Sequence, residues 1–224
     1  KLLSLLIEKN VMLAFAQDTT IYEDGEEGFF QQFIETIEKN IYGNHLYGHS
    51  TLFKAELLDC YKYAEFISFD LTLSLYCSIT GNYAETDERL CVWRRHEKAC
   101  TLSANKGYDN SRQKNNKYAK FIYTLLNVQK KKSDVISRVF TARSKFVKNY
   151  SNNEINLIAS EIAENVAKQT LFSFLKAGFL HVKIHILSSE YRELNAFKKI
   201  ASLLFAFRIP FVYWYEWHEN KHFD

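Results

Sequence analysis

Apolar side chains recur at three- and four-residue spacing along most of the chain, the rhythm of amphipathic helices. Phe29, Phe30, Phe33, Ile34, Ile37 and Ile41 keep this rhythm after Gly28. Thr51–Ile79 carries apolar residues on more than one face, as a central buried helix or helix pair would. Thr86 can cap a further helix that holds Leu90, Val92 and Trp93. Tyr118–Val128 predicts a short helix. Asp134 opens another through Val135, Val139 and Phe146, and Asn152 or Asn153 caps a long one from about Glu154 to Phe179. Lys1–Gln17 is apolar apart from Glu8-Lys9-Asn10. It reads as a helix, or as a helix followed by a strand at Val11–Ala16. Residues 101–117 are polar and predict a long loop.

From His181 the period changes. Val182, Ile184 and Ile186 alternate with His181, Lys183 and His185, which predicts a strand. Leu194, Phe197, Ile200, Ala201, Leu204 and Phe205 return to helical spacing. Pro210 then opens a short run rich in Val, Tyr and Trp, which predicts a second strand. Strand, helix and strand at this spacing form a βαβ unit with parallel strands and a right-handed crossover. The fold class expected is therefore α/β and mainly helical, with helices packed on a small sheet containing a C-terminal βαβ unit. One domain, 1–224, is expected, with an acidic helical part (1–90), a basic helical part (91–150) and a helix plus βαβ part (151–224).

Composition supports long helices. The chain has 7 Gly and 1 Pro in 224 residues, too few for a turn-rich sandwich or barrel. Hydrophobic residues make up 47%, enough for a sizeable core. No apolar run reaches the roughly 18 residues of a transmembrane helix. Ala14-Phe15-Ala16 has the small-x-small form of a signal cleavage site, but charges interrupt the preceding run, so a buried N-terminal helix is the preferred reading. Cys60, Cys77, Cys91 and Cys100 form no C-x-x-C pair. Reduced thiols in a cytoplasmic protein are expected, with a Cys91–Cys100 disulfide as the alternative.

Charge changes the picture most. The net charge of +3 hides opposite blocks: residues 1–90 hold 6 Lys/Arg against 15 Asp/Glu, and residues 94–148 hold 15 against 3. A basic block suggests a polyanion partner. Aromatics interleave it (Tyr108, Tyr118, Phe121, Tyr123, Phe140, Phe146, Tyr150), and aromatic rings can stack unpaired bases while Lys and Arg bind phosphates. The candidate contacts are Arg112, Lys114, Lys117, Lys120, Lys130, Lys131, Lys132, Arg138, Arg143, Lys145 and Lys148. The competing reading is a solvated basic face that balances the acidic third of the same chain.

Three constellations could carry chemistry. Asp18, the acids Glu23, Asp24, Glu26 and Glu27, and Asp70 could gather at a strand end and hold Mg2+ for phosphodiester cleavage; a solvated acidic loop is the plainer account. His181 and His185 would share a strand face as a metal or acid–base site. His218-Glu219-x-x-His222 has the form of the H-E-x-x-H zinc motif, with His218 and His222 as metal ligands. That motif needs a helix, however, and here it follows an expected strand. Separately, the R-x6-H spacing of Arg89 and His96 resembles the motif of HEPN-type ribonucleases, in which such a pair protonates a leaving oxygen; Leu90 stands where those proteins carry a polar residue.

The leading expectation is a nucleic-acid-binding protein, extending to a nuclease with catalytic Asp18, Asp70, His181 and His185, acting through residues 94–148. The alternative is a protein-interaction module, such as an inhibitor or immunity protein, with an acidic protein partner. A zinc-dependent hydrolase is the third.

Overall fold

The apolar run Val11–Ala16 becomes the middle of the sheet. Strand β1 (Leu13–Ile21) is buried at Leu13, Ala14, Phe15 and Ala16 alike, so it lacks the alternation of a one-sided strand. In the computed structural model, which describes residues 1–21, 25–43, 46–94, 117–151 and 153–219, β1 has neighbours along both edges. Strands β2 (Glu27–Phe30) and β3 (Thr51–Phe53) pair antiparallel with its two halves, Thr20 opposite Gly28 and Ala14 opposite Leu52. Strand β4 (Tyr83–Arg94) runs parallel to it from Leu13↔Tyr83 to Ile21↔Arg94. The protein is mainly helical, with this small mixed sheet of four strands.

The register of β4 breaks on either side of Gln17: Ala16 faces Thr86, Gln17 faces Arg89 and Asp18 faces Cys91. Asp87, Glu88 and Leu90 are thus extra residues on the β4 side. Such bulges bend a strand and re-aim its side chains. Here they flank the one carboxylate buried inside β1.

Before the sheet comes α1 (Leu2–Glu8), and a short helix α2 (Ile37–Asn40) follows β2. A 3-10 turn at Gly48–Ser50 leads into β3. A 3-10 stretch at Ala55–Tyr63 and helix α3 (Phe69–Thr80) then cross over to β4. The helical part comprises α4 (Lys117–Asn127), α5 (Asp134–Tyr150), α6 (Glu154–Lys168), α7 (Leu171–Leu187), α8 (Ser189–Glu193) and α9 (Ala196–Glu219). Helix α5 packs on α6, α6 on α7, and α9 on both α7 and α4, while α3 packs on α5 and ties the sheet to the helices. Caps set the boundaries. Ser133 accepts from the Ile136 N–H, and Asn153 from the Ile155 N–H at 2.8 Å. Thr170 and Ser173 bond reciprocally in a capping box.

Several expectations are corrected. The C-terminal βαβ unit is absent, because 181–187 belongs to α7 and 211–217 to α9. The buried stripe of α7 is Phe174, Ala177, Gly178, His181 and Ile184, a helical spacing that recruits a histidine and a glycine to the core. Pro210 lies inside α9 and is itself buried, beside Ala206, Phe211 and Trp214. The apolar stripe Phe197, Ile200 and Leu204 of α9 points outward; Phe197 is 81% exposed. The helix drawn at Thr86 is β4, where Cys91 and Trp93 face inward of exposed Leu90 and Val92. The pattern begun at Phe29 splits into β2 and α2, Thr51–Ile79 is a strand, a 3-10 stretch and a helix, and 154–179 is two helices broken at Gln169. Gln169 takes a left-handed backbone (φ 49°), and its side chain bonds both Ser133 N–H (2.9 Å) and Ser133 C=O (2.6 Å).

Candidate functional site

Two places gather the residues that chemistry needs: a carboxylate–imidazole pair at the sheet, and a cationic cleft along α5.

The first is built on Asp18. Its side chain is fully buried on β1, opposite the bulges of β4. One oxygen, Oδ2, accepts from Gln32 Nε2 (2.9 Å), His49 Nε2 (2.9 Å) and Ser50 Oγ (3.3 Å). The other, Oδ1, is buried without a hydrogen-bond partner. Burial raises the Asp18 carboxyl above its ordinary range, against the opposing pull of His49, Ser50 and Gln32. Gln32 is itself clamped, exchanging two bonds with Gln17 (2.7 and 3.0 Å) and accepting the Tyr47 N–H at 2.7 Å.

Asp70, in the first turn of α3, holds the other side of the same 3-10 turn. It accepts the Gly48 N–H, and burial pushes its carboxyl up while Gly48 and His49 pull it down. A Cβ on Gly48 would lie 2.7 Å from Asp70 Oδ1, so glycine permits the approach. The two carboxylates named from the sequence therefore converge, but through His49, whose side chain is 37% exposed. Tyr47 and Trp93 flank its ring at 5.9 and 5.1 Å between centroids, and Cys91 Sγ donates to the His49 carbonyl at 3.4 Å. With Nε2–H donated to the carboxylate, Nδ1 is left as the basic nitrogen, the arrangement of a general base with its orienting acid. Among the described residues no group of three or more His, Cys, Asp or Glu side chains could hold a metal ion. Glu23 and Asp24 lie outside the described residues, as do His45 and His96.

The other histidines are placed differently. His181 is in the core, its Nε2 accepting from the Tyr42 hydroxyl at 2.9 Å with the rings stacked at 5.6 Å; full burial drops its pKa from 6.5 to about 3. His185 is one turn on, edge-on to Tyr191 at 5.5 Å. His218 lies in the last turn of α9, its ring tilted against Trp214 at 4.2 Å, so it belongs to a helix rather than following the expected strand, and His222 lies outside the described residues. Cys60, Cys77 and Cys91 are free thiols; Cys100 is outside the described residues.

Of the basic candidates, Arg112 and Lys114 lie outside the described residues. On α4, Lys120 pairs with Glu216 of α9 at 2.7 Å, and Lys117 sits 4.9 Å over the Phe205 ring. The Lys130–Lys132 run is exposed at the start of the α4–α5 connection, with Lys131 bonded to the Tyr123 hydroxyl. Lys148 pairs with Glu164. Arg143, a candidate phosphate contact, is instead buried: it donates to the Ile41 carbonyl and packs against Phe140 and Trp217, 5.1 and 4.7 Å from their centroids. Burial lowers its pKa to about 9.

Arg138 and Lys145, seven residues apart and so on one face of α5, remain exposed without an ion-pair partner among the described residues. With Thr141 and Asn149 they form one wall of a cleft of about 400 Å³; Lys62, Glu65 and Phe66 form the other. The interleaved aromatics pack mostly inward. Phe121 meets Phe211 at 4.8 Å, Phe140 and Phe146 are buried, Tyr150 meets Phe146 at 4.9 Å, and Tyr118 lies under Arg208. The chain matches no protein-family model, no curated protein and no solved structure.

Proposed function

We propose that the protein binds nucleic acid through the cleft between α5 and the segment following the Ala55–Tyr63 stretch. The observation that carries this reading is the charge of the cleft: Arg138 and Lys145 face one lining carboxylate, Glu65, while Lys62 on the same wall is paired with Asp59 at 2.8 Å. Arg138 and Lys145 are spaced two helical turns apart, about 10 Å along the axis. That separation suits cations that follow a phosphate backbone. The exposed Lys130–Lys132 run adds to the same positive field.

Binding of this kind weakens with salt because phosphate neutralisation releases counterions. Arg138→Glu combined with Lys145→Glu removes two phosphate contacts. It is expected to make the slope of log affinity against log salt shallower by about 1.4 on a single strand. Fluorescence polarisation with a labelled oligonucleotide measures it. An unchanged slope and affinity would overturn the proposal.

Phosphodiester cleavage extends this reading through the Asp18–His49 pair, which supplies an imidazole hydrogen-bonded to a carboxylate and flanked by Tyr47 and Trp93. The second reading, a protein-interaction module, is favoured by the exposed Phe197, Ile200 and Leu204 stripe of α9. It predicts co-purification with a protein and no salt-sensitive retention on nucleic acid.

A further inference from the structure

Phe66 stands where an aromatic side chain is hardest to keep. It is the third residue of the turn Ala64–Ile67, closed by the Ile67 N–H on the Ala64 carbonyl at 2.9 Å. Its φ is +60°, in the left-handed region that glycine or asparagine occupies at lower cost. Its ring gains little from burial in return, since the residue is 55% exposed. The turn thus holds a large apolar ring outward, against both backbone preference and the hydrophobic effect. It does so on the wall of the cleft that faces Arg138 and Lys145.

We infer that Phe66 is a stacking platform for an unpaired base of a single-stranded nucleic acid whose phosphates lie along Arg138 and Lys145. This rests on the nucleic-acid reading above and narrows it to single strands. A base inside a duplex is already stacked on both faces and offers none to a protein ring, whereas an unpaired base does. The cleft supplies both halves of single-strand recognition, cations for the backbone and a ring for the base. Phe121, Phe140 and Phe146 of the basic block could not serve this way, because they are engaged in packing.

The test uses the full chain with fluorescein-labelled oligo-dT and oligo-U of about twelve nucleotides, and a DNA duplex of the same length. Phe66→Gly and Phe66→Asn both suit the left-handed backbone, so the fold should melt at or above the wild-type temperature. Each should weaken single-strand binding about tenfold, the size of one base–aromatic stack. Duplex binding should barely change, and Phe66→Trp should keep single-strand affinity. Preference for dT or U tells DNA from RNA as the source of the strand, and loss on either supports the platform. If Arg138→Glu with Lys145→Glu weakens binding but Phe66→Gly and Phe66→Asn leave single-strand affinity intact, the platform is overturned while the cleft stands. If none of these variants changes binding, the nucleic-acid reading itself falls. A variant that loses single-strand and duplex binding equally also overturns the platform.

Discussion

Acid should destabilise this protein through His181, and the size of the effect follows from where that side chain sits. His181, on α7, is buried against the Tyr42 ring, accepts the Tyr42 O–H on Nε2, and has no carboxylate paired with it among the described residues. Protonation would place a charge in the core and turn the hydrogen-bond acceptor into a donor. In the unfolded chain the imidazole titrates at its ordinary 6.5; in the folded one burial drops it to about 3. Between those values the unfolded state binds the proton and the folded state does not, so stability falls as pH falls. At pH 5 the pH lies about 1.5 units below the unfolded value, and at about 1.4 kcal/mol per unit the loss relative to pH 8 is about 2 kcal/mol. Urea unfolding at pH 8 and pH 5 measures it in the wild type and in His181→Gln, whose amide oxygen can still accept from Tyr42. The wild type should lose about 2 kcal/mol more than the variant over that interval. Equal losses, or an NMR titration of the His181 ring near pH 6.5, would refute the reasoning. The same measurement bears on chemistry, because a histidine that stays neutral down to pH 4 is a poor proton shuttle at neutral pH.

Two other expectations are sharp. Gly178→Ala should destabilise by about 1–3 kcal/mol even though alanine favours helix, because the new Cβ would lie 2.8 Å from the Phe207 carbonyl oxygen and force α7 from α9; a gain in melting temperature would contradict the packing. If the bound strand is cleaved, His49→Gln should slow cleavage of labelled single-stranded RNA or DNA about 100-fold or more while leaving its affinity unchanged. Cleavage at the wild-type rate in that variant would remove His49 from the chemistry.

Helices α4 and α5 and the start of α6 were legible, the first two from their periodicity and the third from its cap, Asn153. Strand β4 was not, since its bulges insert Asp87, Glu88 and Leu90 and hide the alternation of Cys91 and Trp93. Alternation misled at 181–187 because the helical stripe there runs through Gly178 and His181, residues that hydropathy does not count as core. Asp18 could be singled out as a carboxylate following an apolar run. Its partner could not, because His49 lies 31 residues away and reaches it only once β3 has paired with β1.

Arg143 is the instructive case, since its burial was written in the phase of α5. Charge counting set Arg138, Arg143, Lys145 and Lys148 side by side as equal candidates. A helix turns about 100° per residue, so Ile136, Val139, Phe140, Arg143, Phe146 and Val147 fall on one stripe, and all of them are buried. Arg143 is in phase with that stripe and Arg138 and Lys145 are out of phase with it. The guanidinium can stay there because the Phe140 and Trp217 rings both pack against it and the Ile41 carbonyl accepts from it. A basic residue of a helix can meet a partner only where helix phase leaves it outside. On α5, Arg138 and Lys145 are such positions and line the cleft with Phe66, whereas Lys148, also outside, pairs with Glu164.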